Sequence, residues 1–330
     1  MNFLEHLRVE RFIEDYVTNV SDFTIDDDKD EVIIESNGTA NGTAYNKEYY
    51  IEIKNFYGDC IPFKISEKST IRGVQFSNCS LRSLYGTPLE LNWVNISKSS
   101  IESFFGIPKI LNTLRIEDCY ISENLEGLEI VRWKPLNNYA ENNINLPMLY
   151  ICNTNIKNLR CLNESYNPFG YAPFSEIRIA TNDKIEGELK IDIPAKNYTI
   201  ESNSNITSIK LNGTPHYIDI NRNENLSNIE IASWECIKMA SIERNNFTTI
   251  DSFEKLFEHR MPFQRHIHLK GNPFTNDEFE KLREIQRKIA NTPITSNLSL
   301  WIDTEDDRNW IMSDRMLKYS AFRDMLMSEI

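Results

Sequence analysis

Two histidines on a predicted strand are the first candidates for metal chemistry. His266 and His268 form an H-x-H pair, and because side chains alternate along a strand, both rings should face the same way. Such a pair binds zinc when further ligands complete the site. No cysteine, aspartate or glutamate partner can be assigned from the sequence. We therefore interpret both histidines as strand surface positions and predict no metal or other cofactor.

A run of alternating aspartates is the second candidate. Asp26, Asp28 and Asp30 follow the D-x-D-x-D spacing that begins a calcium-binding loop. That loop also needs glycine at its sixth position and glutamate at its twelfth, where this chain has Glu31 and Asn37. We interpret the acidic segment as a solvated hairpin. The alternative is an acidic patch that binds a basic partner or mimics nucleic acid.

Common catalytic motifs are absent from the chain. The sequence has no G-x-x-x-x-G-K-[ST], no G-x-S-x-G, no H-E-x-x-H and no G-x-G-x-x-G. It has five histidines, and its six cysteines form no C-x-x-C pair. We predict from this that the protein is not an enzyme.

Composition restricts the class of partner. The 330 residues include 36 Lys and Arg against 49 Asp and Glu, a net charge of −13, with 40% hydrophobic residues. This acidic balance disfavours direct nucleic-acid binding, which needs a basic face. No apolar run approaches the roughly 20 residues of a membrane helix, and charges interrupt any signal-peptide core at the N-terminus. We expect a globular protein in the cytoplasm, with no membrane contact.

A repeated phrase organises the middle of the chain. Residues 74–88 (VQFSNCSLRSLYGTP), 94–108 (VNISKSSIESFFGIP) and 114–128 (LRIEDCYISENLEGL) align without gaps. The second apolar position of each unit recurs at Phe76, Ile96, Ile116, Ile151, Ile179, Ile200, Ile220, Ile242 and Leu269. Three residues later come Cys79, Ser99, Cys119, Thr154, Asn182, Asn203, Asn223, Asn245 and Asn272.

This pattern is the L-x-L-x-x-N/C-x-L consensus of leucine-rich repeats. One unit cannot bury its apolar face alone, so the units must stack. The asparagine or cysteine marks a turn, where its side chain should bond backbone groups that would otherwise be buried unpaired. We predict an α/β solenoid, a leucine-rich-repeat-like horseshoe of about nine short parallel strands. An α+β N-terminal cap and a helical C-terminal cap should cover its ends.

The expected domain boundaries follow the repeat. Residues 1–70 should form the N-terminal cap and residues 71–274 the solenoid. Insertions interrupt the solenoid at 122–148 and 160–176. Residues 275–330 should form the C-terminal helical cap.

Hydrophobic spacing predicts the elements of the two caps. The N-terminal cap should contain a helix over 1–20 and strands over 23–36 and 48–56. The C-terminal cap should contain helices over 275–292 and 303–330. The last helix has an apolar side, which could instead dock on a partner or mediate self-association.

The register predicts a binding surface. The middle residue of each L-x-L points out of the concave sheet, and the next outward residue follows two positions later. The predicted partner-binding residues of this face are Gln75, Asn95, Arg115, Glu117, Tyr150, Arg178, Glu201, Asp219, Glu243 and His268. A long polar ladder of mixed charge suits a protein surface or an extended peptide better than a small molecule.

Aromatic residues of the two insertions form a second candidate surface. They are Trp133, Tyr139, Tyr166, Phe169 and Tyr171. Aromatic side chains dominate binding hot spots, so these loops could bind a partner. The alternative is that the loops fold back and cover the core.

One form of the repeat is more particular than the general consensus. The phrase L-x-S-L-x-G-x-P at 81–88, followed by SIESFFGIPKIL and NLEGL, resembles the leucine-rich-repeat-like proteins common in large tailed bacteriophages. The segment FTIDDDKDEVIIE at 23–35 also resembles their N-terminal parts. The resemblance covers 13–128 well and 149–274 more loosely, because the G-x-P element is lost after the third repeat. It implies a solenoid and a viral origin, and it implies no chemistry.

Together these patterns favour a non-enzymatic interaction scaffold. As a phage accessory protein in the host cytoplasm, it would bind, and could inhibit, a host or viral protein. One alternative is a structural or assembly protein of the virion. Another is a secreted bacterial effector or surface ligand.

Overall fold

A computed structural model describes residues 1, 3–37, 39–40, 47–138, 143–165, 173–258, 265–291 and 298–302. The helices are α1 (Phe3–Tyr16), α2 (Arg160–Ser165), α3 (Lys255–Glu258) and α4 (Asn276–Asn291), with short 3-10 turns at Leu128–Ile130 and Asp251–Phe253. The strands are β1 (Val17–Thr18), β2 (Val20–Asp26), β3 (Glu31–Ser36), β4 (Thr39–Ala40), β5 (Lys47–Glu48), β6 (Tyr50–Lys54), β7 (Tyr57–Gly58), β8 (Lys64–Ile65), β9 (Gly73–Ser77), β10 (Ser80–Leu81), β11 (Glu90–Ser97), β12 (Ser100–Ile101), β13 (Ile110–Ile121), β14 (Arg132–Trp133), β15 (Leu136–Asn138), β16 (Asn143–Asn145), β17 (Met148–Thr154), β18 (Phe174–Ala180), β19 (Gly187–Ile191), β20 (Ala195–Glu201), β21 (Ile206–Leu211), β22 (Tyr217–Asn221), β23 (Asn228–Ile231), β24 (Met239–Glu243), β25 (Arg265–His268) and β26 (Leu298–Trp301). None of the helices in these ranges has the length and apolar character needed to cross a membrane.

Stacked parallel strands form one main sheet, and the chain is therefore a solenoid, as the repeat predicts. The strands lie in the order β6, β9, β11, β13, β17, β18, β20, β22, β24, β25 and β26. Phe76 pairs with Ile96, and Ile96 with Ile116, in the predicted register. The equivalent isoleucines continue this pairing as far as Ile242. Isoleucine suits these positions because a β-branched side chain packs well on a pleated, half-buried surface.

Buried asparagines link one turn to the next, as the repeat predicts. Asn203 is fully buried, and its side-chain amide donates to the carbonyls of Ile179 (3.2 Å) and Glu201 (3.0 Å). Its side-chain oxygen accepts from the backbone N–H of Asn182 at 2.9 Å. Two of these bonds reach the preceding turn: the side-chain oxygen accepts from a backbone N–H, and the amide donates to a strand carbonyl. The same two bonds are made by Asn182, Asn223, Asn245 and Asn272. Each asparagine therefore satisfies backbone groups that water cannot reach.

Serine and cysteine take the asparagine position in the first repeats. The Ser99 hydroxyl accepts from the backbone N–H of Cys79 (3.0 Å) and donates to the carbonyl of Ser97 (2.7 Å). The thiol of Cys119 contacts the carbonyl of Ile96 at 3.4 Å. Burial raises the pKa of the Cys119 thiol to about 11, so the thiol stays protonated and weakly nucleophilic at neutral pH.

The residue before each ladder position has a left-handed backbone. The non-glycine examples are Asn55, Asn78, Lys98, Asp118, Asn153, Thr181, Ser202, Arg222 and Arg244, with φ between 49° and 57°. Gly271, at φ 71°, completes the series before Asn272. This conformation costs an ordinary residue about 1 to 2 kcal/mol, so the stacked turns and their hydrogen bonds must impose it. The residue types at this position differ too much for the sequence to reveal the turn.

Two smaller sets of parallel strands lie beyond the turns. One set joins β7, β10, β12 and the end of β13, and the other joins β19, β21 and β23. The glycine of the G-x-P phrase belongs to this part of each turn. A Cβ on Gly106, at φ 84°, would lie 2.4 Å from the Cα of Tyr85 in the preceding turn. Glycine is therefore required here both for its backbone conformation and for the close approach of the turns.

The N-terminal segment differs from its prediction in two places. Helix α1 is present, and it buries Val9, Phe12 and Ile13. The single strand predicted over 23–36 is wrong, because β2 and β3 are an antiparallel pair that turns at residues 27–30. The strand predicted over 48–56 is β6, which joins the main sheet beside β9. The repeat pattern missed β6 because Phe56 stands where later turns have a polar ladder residue.

The C-terminal part adds an unpredicted strand. Helix α4 follows the solenoid as predicted, with Leu282 fully buried. Strand β26 then pairs in parallel with β25 and extends the main sheet. The helix predicted over 303–330 lies outside the described residues.

Candidate functional site

Three rows of side chains cover the outward face of the main sheet. The residues between them, such as Val74 and Phe76, are fully buried, so the rows face away from the core. The central row is Glu52, Gln75, Asn95, Arg115, Tyr150, Arg178, Thr199, Asp219, Ser241, His268 and Trp301. The turn-side row is Lys54, Ser77, Ser97, Glu117, Cys152, Ala180, Glu201, Asn221 and Glu243. The register thus places all ten predicted surface residues of the face in these two rows.

The third row, which we call the entry-side row, was missed by the sequence reasoning. It contains Tyr50, Gly73, Trp93, Thr113, Met148, Glu176, Asn197, Tyr217, Met239 and His266. The strands begin one to four residues before the L-x-L phrase, so strand alternation extended by one more step would have identified this row.

Two arginines and a tyrosine lie side by side in the middle of the central row. Arg115 pairs in register with Tyr150, and Tyr150 with Arg178, on the adjacent strands β13, β17 and β18. The Tyr150 hydroxyl donates to the carboxylate of Glu176 at 2.9 Å. Burial and the neighbouring Glu176 raise the pKa of the Tyr150 phenol, so it remains a hydrogen-bond donor at neutral pH.

Glutamates of the turn-side row hold the two arginines. Arg115 donates through Nε (3.1 Å) and Nη2 (2.8 Å) to one oxygen of Glu117. Arg178 Nη2 lies 3.5 Å from the Glu201 carboxylate, which Arg222 also approaches at 3.7 Å. These contacts orient the guanidinium groups before any partner arrives, which lowers the entropy lost on binding.

The C-terminal third of the face is more acidic. Asp219 lies between Glu201 and Glu243 on neighbouring strands, and desolvation together with these two carboxylates raises the pKa of Asp219. The His268 ring stacks on Trp301, with ring centroids 5.7 Å apart, and approaches Glu243 at 3.5 Å. This end of the face combines negative charge with an aromatic pair.

The predicted histidine pair does face one way. His266 and His268 lie in neighbouring rows on β25, and burial and the neighbouring His268 lower the pKa of His266. Within the described ranges, no group of three or more His, Cys, Asp or Glu side chains is arranged to hold a metal ion.

Polar atoms without a hydrogen-bond partner also concentrate on this face. Among the described residues, they include Asn95 Oδ1, Arg178 Nε, Asn197 Oδ1 and Trp301 Nε1, all buried as atoms. All four side chains belong to the central or the entry-side row. Buried polar groups are ordinarily hydrogen-bonded, so these four atoms distinguish this face from the polar ladder, where the asparagine side chains are bonded.

The one predicted insertion aromatic that the structure describes is buried, unlike the residues of the outward face. Trp133 is only 7% exposed and packs against Phe174, with centroids 4.9 Å apart, so its prediction as a surface contact is wrong. Strand β14 pairs with β13 and carries the ring into the core, so this part of the insertion covers the core. The remaining predicted loop residues lie outside the described part of the chain, namely Tyr139, Tyr166, Phe169 and Tyr171.

No family model matches this chain, and a search of curated proteins gives no match.

Proposed function

We propose that this protein is a non-enzymatic interaction scaffold that binds a protein partner through the outward face of its main sheet. The observation that supports this best is the row Arg115–Tyr150–Arg178 at the middle of that face. Tyrosine and arginine are enriched in binding hot spots, which cluster near the centre of an interface. The partner would therefore be centred on these three residues.

The rest of the face suits a large partner. It extends over many strands, about 4.8 Å apart, and its exposed side chains are mainly polar with charges of both signs. Such a surface matches the polar rim and mixed charge of protein interfaces. The partner-binding set accordingly comprises the ten residues predicted on the central and turn-side rows, without the buried Trp133.

The solenoid would be a leucine-rich-repeat-like horseshoe with the main sheet on its concave side, an α+β cap before it and a helical cap after it. The G-x-P repeats and their resemblance to proteins of large tailed bacteriophages support a phage accessory protein. It would act in the host cytoplasm and restrain a host or viral protein.

Affinity purification with matched variants tests the binding face. The tagged protein would be expressed in bacteria as the wild type and as the triple variant Arg115→Ala, Tyr150→Ala, Arg178→Ala. The set of proteins captured by the wild type and the set captured by the variant would be compared by quantitative mass spectrometry. We expect the wild type to retain the partner and the triple variant to lose it. The affinity of that purified partner for both proteins would then be measured directly.

A control of equal composition separates this effect from general damage. Arg82, Tyr85 and Arg132 are exposed residues outside the three rows. The variant Arg82→Ala, Tyr85→Ala, Arg132→Ala should capture the same partner as the wild type. If every captured protein stayed on the first triple variant, or left both variants equally, the proposed face would be wrong.

A further inference from the structure

An aromatic corner occupies the first strands of the outward face, away from the central arginines. Trp93 on β11 and Tyr50 on β6 lie on either side of Gly73 in the entry-side row. Their ring centroids are 5.2 Å apart and the rings are tilted by 50°. Trp93 and Tyr50 are both partly exposed, whereas Gly73 beneath them is buried.

Gly73 lets the Trp93 ring lie flat on the sheet. A Cβ at Gly73 would stand 2.1 Å from Cε2 and 2.5 Å from Cδ2 and Cζ2 of Trp93, within the face of the indole. Gly73 is not among the residues with positive φ, so its backbone does not require glycine. One face of the indole therefore covers the strand, and the solvent-exposed part of the ring is its opposite face.

The central-row groups beside this ring are neutral or neutralised. Gln75 and Asn95 lie in the next row, about 7 Å along their strands from Gly73 and Trp93. The Glu52 carboxylate is held by Lys54 (2.9 Å), Gln75 (3.1 Å) and the Ser77 hydroxyl (2.9 Å). Asn95 Oδ1 has no hydrogen-bond partner among the described residues. The corner therefore offers a flat aromatic face bordered by amide and hydroxyl groups.

We propose that this corner binds a neutral saccharide. The weakly positive C–H face of a pyranose ring stacks on the electron-rich face of an indole, and Trp93 presents such a face. The Asn95 amide nitrogen can donate to one sugar hydroxyl, and the Gln75 side-chain oxygen can accept from another, because the Gln75 amide nitrogen already donates to Glu52 (3.1 Å) and Ser77 (3.0 Å). Tyr50 would border the ring on one side. Among Glu52, Gln75 and Asn95, the described residues that border the ring in the central row, the single charge is already paired, which argues for an uncharged sugar over an acidic one.

The aromatic corner lies beside the proposed protein-binding centre and shares Gln75 and Asn95 with the wider face. Trp93 and Arg115 lie on adjacent strands, but they belong to different rows, and Tyr150 is a further strand away. A stacked tryptophan also fits the proline rings of an extended peptide. The paired amides favour the sugar, and the peptide is an outcome of the test.

Titration with defined oligosaccharides tests the site. The full chain would be titrated by calorimetry with hexasaccharides of α-1,4-glucose, β-1,4-glucose, β-1,3-glucose and β-1,4-N-acetylglucosamine, and with a proline-rich decapeptide. We expect saturable binding of at least one hexasaccharide. Trp93→Ala should weaken that binding by roughly tenfold or more, because the stacking surface is lost.

Two further variants distinguish a sugar platform from a tryptophan that only covers a glycine. Gly73→Ala keeps the indole but displaces it, and it should weaken sugar binding as Trp93→Ala does. Tyr120→Ala removes an exposed aromatic side chain outside the three rows and should leave the affinity within about twofold. Circular dichroism would verify that each variant folds.

Three results would overturn the assignment. They are no binding of any hexasaccharide to the wild type, unchanged binding by folded Trp93→Ala and Gly73→Ala, and binding of the peptide alone. Tyr150→Ala should retain sugar binding, so the failure of this site and of the protein-binding face can be told apart.

Discussion

Replacing Asn203 by alanine tests whether the polar ladder stabilises the stack. The substitution removes the hydrogen bonds to the Asn182 N–H and to the Ile179 and Glu201 carbonyls, in a residue that is 0% exposed. A buried polar group left unpaired costs about 1 to 3 kcal/mol. The Asn182 N–H and the Ile179 carbonyl lose this partner, whereas the Glu201 carbonyl still accepts from the Thr181 N–H at 2.9 Å. Allowing for local relaxation, we expect a loss of about 3 to 5 kcal/mol in the free energy of unfolding. That is a large part of the roughly 5 to 15 kcal/mol of a typical domain.

The structure also supplies a graded variant. Ser99 occupies the same ladder position and satisfies both the N–H of Cys79 and its own turn's carbonyl at Ser97. Asn203→Ser should therefore keep two of the three bonds and lose only about 1 to 2 kcal/mol. Asn225 is an exposed asparagine that donates to the Ser204 carbonyl at 2.7 Å. Asn225→Ala should cost less than about 1 kcal/mol, because water replaces its bond.

Urea unfolding followed by far-ultraviolet circular dichroism measures all three variants at pH 7. The unfolding midpoint should fall in the order Asn225→Ala, Asn203→Ser, Asn203→Ala, with little change in slope. Equal midpoints for Asn203→Ala and Asn225→Ala would refute the reasoning. A serine variant as unstable as the alanine variant would show that cavity formation, and not hydrogen bonding, sets the cost.

Two further predictions concern charged side chains. The buried Arg265 guanidinium donates to the carbonyls of Ile237 (2.9 Å), Leu256 (2.8 Å), Trp234 (3.1 Å) and Glu235 (3.3 Å). Arg265→Met should cost about 3 to 5 kcal/mol in the same assay. The control Arg283→Met, at a partly exposed arginine, should cost about 0.5 kcal/mol or less, and similar losses for the two variants would contradict this role of Arg265. The pKa of Asp219 is raised by desolvation, Glu201 and Glu243, so its ionisation destabilises the fold as the pH rises from about 3.8, its ordinary pKa, through the raised value. Asp219→Asn should therefore stabilise the protein at pH 7, but only slightly, because solvent screens part of the repulsion. In thermal melts at different pH values, this stabilisation should disappear below pH 3.8. A destabilisation at pH 7 would contradict the assigned repulsion.

The candidate face was predictable to the extent that strand alternation governs it. The L-x-L phrase fixes which side chain points outward, so Arg115, Tyr150 and Arg178 could be placed in one row from the sequence. Trp93 and Gly73 were missed because they precede the phrase. Their relation depends on pairing between β9 and β11, and no local pattern in either strand announces a flat indole over a glycine.

Burial of the insertion residues was beyond local reasoning for a similar reason. Trp133 is an aromatic residue in an irregular segment, and exposed and buried aromatics have the same local signature. Its position in the core follows from β14 pairing with β13 and from the Phe174 ring on a distant strand.

The amino-acid sequence by itself determined the stacked solenoid, its register and its polar ladder. These features repeat, and a unit that cannot bury its own apolar face has to stack on copies of itself. Only the tertiary structure decided the left-handed turn residues, the added strands β6 and β26, and the neighbours of each outward side chain. Those depend on contacts between turns, where hydrogen bonds from the next turn can hold Thr181 or Arg222 in a conformation that neither residue favours alone.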